Sequence, residues 1–350
     1  MSVATEGKGP RVRPSHSDPT AAARTASRVH PRAFSRIPTV MSADEIIDSA
    51  FRKASKITIS NPDRFMGVKA TETSRIRSVQ NGIAAVLQRY VKRFPSFDGL
   101  PPFYQELVHL LVDLDKVRKA LGSLDWASKR VNEIGDEAVT AIKRAPHGDI
   151  VHEAKSQAYG RIASILKQVD PHLKALDSAR RELKRLPTVE WDLPTIVVAG
   201  YPNVGKSSLV RKVSTGTPEV ANYPFTTKGI VVGHFEKSFV KHQIVDTPGL
   251  LDRDLEDRNA IEMQAIHALR HLGNVIVFLV DPSEHCGYSL DAQLKLLADT
   301  KKAFPDTPFV VASSKSDLKK AELGDVTFSA ETGDGIDELM KLALSHVKKR

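Results

Sequence analysis

The run Gly200-Tyr-Pro-Asn-Val-Gly205-Lys206-Ser207 constrains this chain more than any other stretch of it. It satisfies the spacing G-x-x-x-x-G-K-[ST], and its context is right: an apolar strand pattern from Thr195 to Ala199 precedes it, and a helical pattern from Lys206 to Val213 follows. Two glycines alone make an ordinary turn. Between a strand and a helix they make an anion cradle, because the tight turn aligns successive N–H groups with the positive end of the helix. Gly200, Asn203, Val204, Gly205 and Ser208 are the expected walls of that cradle. The Lys206 ammonium would balance β- and γ-phosphate charge, and the Ser207 hydroxyl would bind Mg²⁺.

Residues 191–350 carry further elements of the same kind. Strand patterns run from Gly229 to Glu236, Phe239 to Asp246, Val275 to Asp281, Phe309 to Ser313 and Val326 to Ser329, with helices from Ser289 to Phe304 and Ile336 to Lys348. This alternation predicts an α/β domain with a mostly parallel sheet and one antiparallel pair. Asp246-Thr-Pro-Gly249 matches D-x-x-G: Asp246 would reach Mg²⁺ through water and the Gly249 N–H would sense the γ-phosphate, although a lone strand-end Asp is more often a turn former. The loop Asn222-Tyr-Pro-Phe-Thr226-Thr227-Lys-Gly229 offers Thr227 to Mg²⁺ and γ-phosphate, with Thr226 as the neighbouring alternative. Ser314-Lys315-Ser316-Asp317 speaks for guanine, since the Asp317 carboxylate can accept from both N1–H and N2–H₂, a donor pair that adenine lacks. Lys315 would lie along the base face, and Ser329-Ala330 would present an N–H to guanine O6; a solvated Lys/Asp loop is the bland alternative. GTP and GDP are the expected ligands.

Residues 41–190 read differently. Ser42-Ala-Asp-Glu45 is a capping box, and apolar positions at helical spacing run from Ile46 to Phe51, Ile76 to Val91, Leu107 to Leu121 and Ile162 to Leu183. Helices are expected from Thr71–Ser74 to Pro95, from Phe103 to about Ala145 and from about Asp149 to Leu186, turning at Pro146-His147-Gly148, as an antiparallel bundle. Before them, residues 1–40 hold seven Lys or Arg against two carboxylates and five prolines, and are expected to be a disordered basic arm, with Met41 as an alternative start. The net charge of +9 favours a polyanionic partner. Basic clusters on the helices (Arg89, Lys92 and Arg93; Arg118 and Lys119; Arg180, Arg181, Lys184 and Arg185) are candidate RNA contacts or plain solvated faces. A single cysteine, Cys286, excludes an internal disulfide framework and suits a reducing compartment, where it serves as a small buried filler. No run approaches a membrane span, and the arm has no apolar helical face for a membrane surface.

Assembled in order, these residues resemble the NOG family (nucleolar GTP-binding protein 1), a branch of the Obg-related GTPases. Less common stretches carry the likeness from Met41 to Arg350, among them Phe103-Tyr-Gln-Glu-Leu, Ala120-Leu-Gly-Ser-Leu, Tyr223-Pro-Phe-Thr-Thr-Lys-Gly and Asp281-Pro-Ser-Glu-His-Cys-Gly-Tyr. The resemblance implies an all-α bundle followed by a Ras-like P-loop GTPase domain, in the shorter archaeal-type form. It further implies a cytoplasmic factor, monomeric off the ribosome, whose partners are the rRNA and ribosomal proteins of the large subunit during assembly. Ser314 departs from the family's Asn, which weakens or replaces that residue's contacts to guanine and loop. Leu250 and Leu251 stand where Ras-type enzymes place the water-orienting glutamine. Slow hydrolysis in isolation is expected, with Lys206, Thr227 and Gly249 as its catalytic groups; Asn203 either helps hold a K⁺, as in potassium-activated relatives, or merely suits the backbone geometry of the loop. A non-hydrolysing, nucleotide-gated RNA-binding scaffold is the alternative.

Overall fold

A computed structural model of the chain describes residues 31–347 except 225, 227, 228, 255, 257 and 322. Its first half is a helical bundle. Helix α1 (Ala43–Ser55) opens at the expected capping box, with the Ser42 hydroxyl accepting the Glu45 N–H and Glu45 accepting that of Ser42. Helices α2 (Arg64–Arg93), α3 (Pro102–Leu111), α4 (Leu114–Arg144) and α5 (Gly148–Leu183) follow. Along α4, the buried residues Val117, Ala120, Leu124, Ala127, Val131, Ile134 and Ala138 recur every three or four positions, which keeps one stripe against α2 and α5.

Three sequence expectations change here. Helix α2 begins before Thr71, because Asp63 caps it by accepting the Phe65 and Met66 N–H groups. The helix expected from Phe103 to Ala145 is two helices, since Val112 and Asp113 are extended and Asp113 caps a new start by accepting the Lys116 N–H. The arm expected to be disordered through residue 40 is ordered at its end: Pro31–Arg36 is a 3₁₀ helix, and Phe34, Ile37 and Val40 are buried in the core. Their spacing of three was outweighed by the prolines and charge around them.

The second half is one seven-stranded sheet in the order β2-β3-β4-β1-β5-β6-β7. The strands are β1 (Thr195–Ala199), β2 (Glu219–Ala221), β3 (Ile230–Lys237), β4 (Val240–Asp246), β5 (Val275–Val280), β6 (Phe309–Ser313) and β7 (Val326–Thr327). Two strand pairs are antiparallel rather than one, β2 with β3 and β3 with β4; the rest are parallel. The β3–β4 hairpin turns at Ser238 and Phe239, both at positive φ, a residue later than expected. Helices α6 (Lys206–Val213), α7 (Ala260–Ala268), α8 (Leu290–Ala303) and α9 (Ile336–Ser345) complete the domain. Neither β2 nor α7 was expected. Strand β1 lies between β4 and β5, parallel to both, so connections leave its C-terminal end in opposite directions and open a crevice there.

Candidate functional site

The loop after β1 fills that crevice. Gly200 has φ 132°, and a Cβ there would stand 2.6 Å from the Leu279 carbonyl oxygen of β5, so only glycine lets the chain leave the sheet at this point. Asn203 (φ 62°) and Gly205 (φ 104°) turn the backbone through the left-handed region and deliver it to the start of α6. Val204 is buried beneath the loop. The Lys206 ammonium is buried too and donates to the carbonyls of Gly200 (2.7 Å) and Tyr201 (2.8 Å), pinning the two ends of the cradle together.

Pairing of β1 with β4 brings Asp246 opposite Val198, at the mouth of the loop. The Ser207 hydroxyl donates to Asp246 Oδ2 at 2.5 Å. Asp246 Oδ1 is buried with no hydrogen-bond partner among the described residues. Burial pushes this carboxyl up, against the Ser207 hydrogen bond and the Lys206 ammonium, which favour its charge. A buried acceptor lacking a partner beside a hydroxyl and a phosphate-type loop suits Mg²⁺, which takes one or two protein oxygens and completes its shell with water and phosphate. Among the described residues no cluster of His, Cys, Asp and Glu could enclose a metal by itself.

Thr226 uses its hydroxyl within its own loop, donating to the Tyr223 carbonyl and accepting the Gly229 N–H. Thr227, the expected Mg²⁺ threonine, lies outside the described residues. Gly249 follows β4 at φ 79°, and its N–H is donated to Asp252 Oδ2 at 2.6 Å. Leu250 and Leu251 are both core residues, so no side chain at those positions can orient a water.

Across the crevice, Lys315 (φ 57°) is held by Asp281, Nζ to Oδ2 2.8 Å. Asp281 is fully buried at the end of β5 and also accepts the Ser283 hydroxyl and the N–H groups of Ser283 and Cys286. Burial pushes its carboxyl up, but Lys315 and these donors outweigh burial and leave it below the usual range. Asp281 was quoted from the sequence without a role; its place after an apolar strand was the available signal. Cys286 is buried behind it, its thiol pushed up by burial, as a filler should be. Asp317 Oδ1 accepts the Ser329 hydroxyl at 2.5 Å, which fixes the carboxylate plane. Ser314 spends its hydroxyl on the Val280 carbonyl rather than on the phosphate loop.

Asn203, Val204, Gly205, Ser208, Lys315, Asp317 and Ala330 line one cleft of about 260 Å³ together with His285, which the sequence did not single out. A larger cavity, about 550 Å³, lies beside α3 and is lined by Glu106, His267, His271 and His346, with no residue of the Gly200–Ser208 loop in its wall. The loop after β1 borders the smaller cleft.

Helix α3 of the bundle packs against this domain beside Tyr223 and α7. Phe103 is buried with its ring 6.4 Å from that of Tyr223, whose hydroxyl donates to the Ala265 carbonyl of α7 at 2.7 Å. Glu106 meets His271 at 2.9 Å. The Tyr104 hydroxyl lies on the Pro187 and Val189 carbonyls and accepts the Val189 N–H, fastening the linker between the halves.

Residues 34–190 match the NOG1 N-terminal helical domain, and residues 260–317 match nucleolar GTP-binding protein 1 (NOG1). An uncharacterized protein of Methanocaldococcus jannaschii is 40% identical over 83% of this chain and 82% of its own length. Nucleolar GTP-binding protein 1 of Drosophila melanogaster is 36% identical over 83% of this chain and 45% of its own. A crystal structure assigned to nucleolar GTP-binding protein 1 of Plasmodium falciparum is 34% identical, covering 46% of this chain and 90% of that one with a TM-score of 0.42. The chain spans about half the length of the nucleolar GTP-binding protein 1 relatives it matches. With a helical bundle ahead of a P-loop sheet domain, and relatives of this identity along most of its length, the chain belongs to the nucleolar GTP-binding protein 1 family.

Proposed function

We propose that this chain binds GTP and GDP with Mg²⁺ in the cleft between the Gly200–Ser208 loop and the Lys315–Asp317 loop, hydrolyses GTP slowly, and acts as a switch in assembly of the large ribosomal subunit. The observation that carries the nucleotide assignment is Asp246: a buried carboxylate held on one oxygen by Ser207 and, among the described residues, without a partner on the other, at the N-terminus of α6. Ser207, Asp246 and Thr227 would hold Mg²⁺, whose part is to draw charge from the phosphate oxygens. Lys206 and the loop N–H groups would bind the phosphates, and Asp317, Lys315, Ser329 and Ala330 the base. Buried Leu250 leaves the attacking water to be oriented from elsewhere, which supports slow turnover, with K⁺ at Asn203 as a source of charge stabilisation.

The rRNA assignment for the bundle, in the cytoplasm and as a monomer off the particle, is supported more narrowly. Arg118, Arg180, Arg181 and Arg185 are tied to neighbouring carboxylates, whereas Lys92, Arg93, Lys119 and Lys184 make no ion pair among the described residues. Lys119 also borders a cleft with Gln168, His172 and the exposed Trp126, a combination that suits stacking of an unpaired base.

Titration calorimetry with GTP, GDP and ATP on wild type and Lys206→Ala tests the site. Guanine-selective binding that Lys206→Ala lowers at least 100-fold is expected, from loss of the buried cation that the loop aims at phosphate. Turnover is expected to be faster in KCl than in NaCl at equal ionic strength. Binding without turnover, even with large subunits present, would instead select the non-hydrolysing scaffold.

A further inference from the structure

The segment after β4 holds a contact that competes with the function proposed for it. The Gly249 N–H is donated to Asp252 Oδ2 at 2.6 Å, and the other oxygen of that carboxylate faces Arg258 Nη2 at 3.6 Å. Arg258 in turn donates Nη1 to the Gly249 carbonyl at 2.6 Å and Nη2 to the Leu250 carbonyl at 2.9 Å. Its side chain is 1% exposed and that of Asp252 15%, so the contacts form in a largely dry place where charge-assisted bonds are strong.

A backbone N–H carries one proton and makes one strong hydrogen bond. If the Gly249 N–H is the group that meets a γ-phosphate, the phosphate and Asp252 exclude each other there. We infer that Asp252 is an internal competitor of the γ-phosphate and thereby sets how strongly the site prefers GTP over GDP. The inference rests on the nucleotide assignment made above.

The surroundings suit exchange rather than a permanent lock. Carboxylate and phosphate oxygens are anionic acceptors of the same donor, so one can replace the other without leaving the N–H bare. A displaced Asp252 keeps a partner, because the Arg258 guanidinium already lies 3.6 Å from it and can close on it fully. That closure also neutralises a carboxylate that would otherwise repel the incoming phosphate. Leu250 and Leu251 are anchored in the core, so the required movement is confined to Asp252 beyond them. GDP has no γ-phosphate and leaves the contact alone.

Titration calorimetry of the full chain with Mg²⁺ and either GDP or a non-hydrolysable GTP analogue, on wild type, Asp252→Ala and Asp252→Asn, tests this. Asp252→Ala is expected to bind the analogue about ten-fold more tightly, the scale of one charge-assisted hydrogen bond, with GDP affinity changed less than about two-fold. Asp252→Asn, which loses the charge but keeps an acceptor, should fall between. Equal tightening in both variants would assign the effect to charge alone and overturn the competition, as would parallel changes for GDP and the analogue or no change at all. Wild type labelled with ¹⁵N-glycine gives a readout without substitution: the Gly249 amide signal should move with the analogue and not with GDP, and equal movement with both overturns the inference. A wild type that binds neither nucleotide would instead overturn the site assignment on which it rests.

Discussion

Asp246 is fully buried, one oxygen on the Ser207 hydroxyl and the other with no hydrogen-bond partner among the described residues, and burial is the larger influence on its carboxyl. Its folded-state pKa is raised, so the stability that this group contributes is present below the unfolded carboxyl range and lost as pH rises through the folded value. Above the unfolded carboxyl range this group therefore weakens the nucleotide-free fold. Asp246→Asn should raise the melting temperature of the free chain at neutral pH, measured by scanning calorimetry. It should also abolish the gain from Mg²⁺ and GDP, which is about 2.7 kcal/mol at a ligand concentration 100 times Kd. A lower melting temperature for the free variant would contradict this. The meeting of these residues was legible because it follows from a fixed spacing after a strand: Gly200, Lys206, Ser207 and Asp246 come together at the end of β1. Asp252 and Arg258 were not legible. Each is an ordinary charged residue in a loop, and only the path of the backbone after Gly249 brings them onto the N–H and the carbonyl of that one residue.

Among the elements, long ones announced themselves and short ones did not. The stripe along α4 spans thirty-one residues and repeats its period many times, whereas β2 has three residues and nothing periodic to show. Helix α7 is nearly as apolar on one side as the other, so its nine residues give no amphipathic signal, though its Asn259 to Glu262 capping box was there to be read. The break between α3 and α4 turns on one side chain, Asp113, whose hydrogen bond to the Lys116 N–H outcompetes a continuous helix. The segment before α1 matters for stability in the same local way. Phe34, Ile37 and Val40 are buried, and the Phe34 ring lies 5.9 Å from that of Tyr104. A chain starting at Met41 should be roughly 2 to 5 kcal/mol less stable to urea, from three buried side chains less the entropy of ordering the segment. An unchanged midpoint would mean that this segment adds nothing to the core.

At the scale of the whole molecule, the packing of α3 against the sheet domain was out of reach of the sequence. Phe103, Tyr104 and Tyr223 each read as a buried aromatic, and nothing in their spacing says that Phe103 lies against a loop 120 residues later. That loop runs directly into Thr226, and α7, which holds the Tyr223 hydroxyl, runs directly out of Arg258. If nucleotide state shifts either segment, it shifts the seat of α3. Phe103→Ala should loosen the seat at about 3 to 5 kcal/mol of stability, and affinity for purified large subunits should then differ less between GTP analogue and GDP than in wild type. An undiminished difference would show that α3 does not transmit it. The Tyr223 hydrogen bond to Ala265 has a consequence that runs the other way. Free energy around a closed cycle sums to zero, so whatever factor GTP adds to the grip on a particle, the particle must add to the grip on GTP. A ribosomal surface that never touches the nucleotide would thus retain it, and a surface that releases the bundle would discharge it.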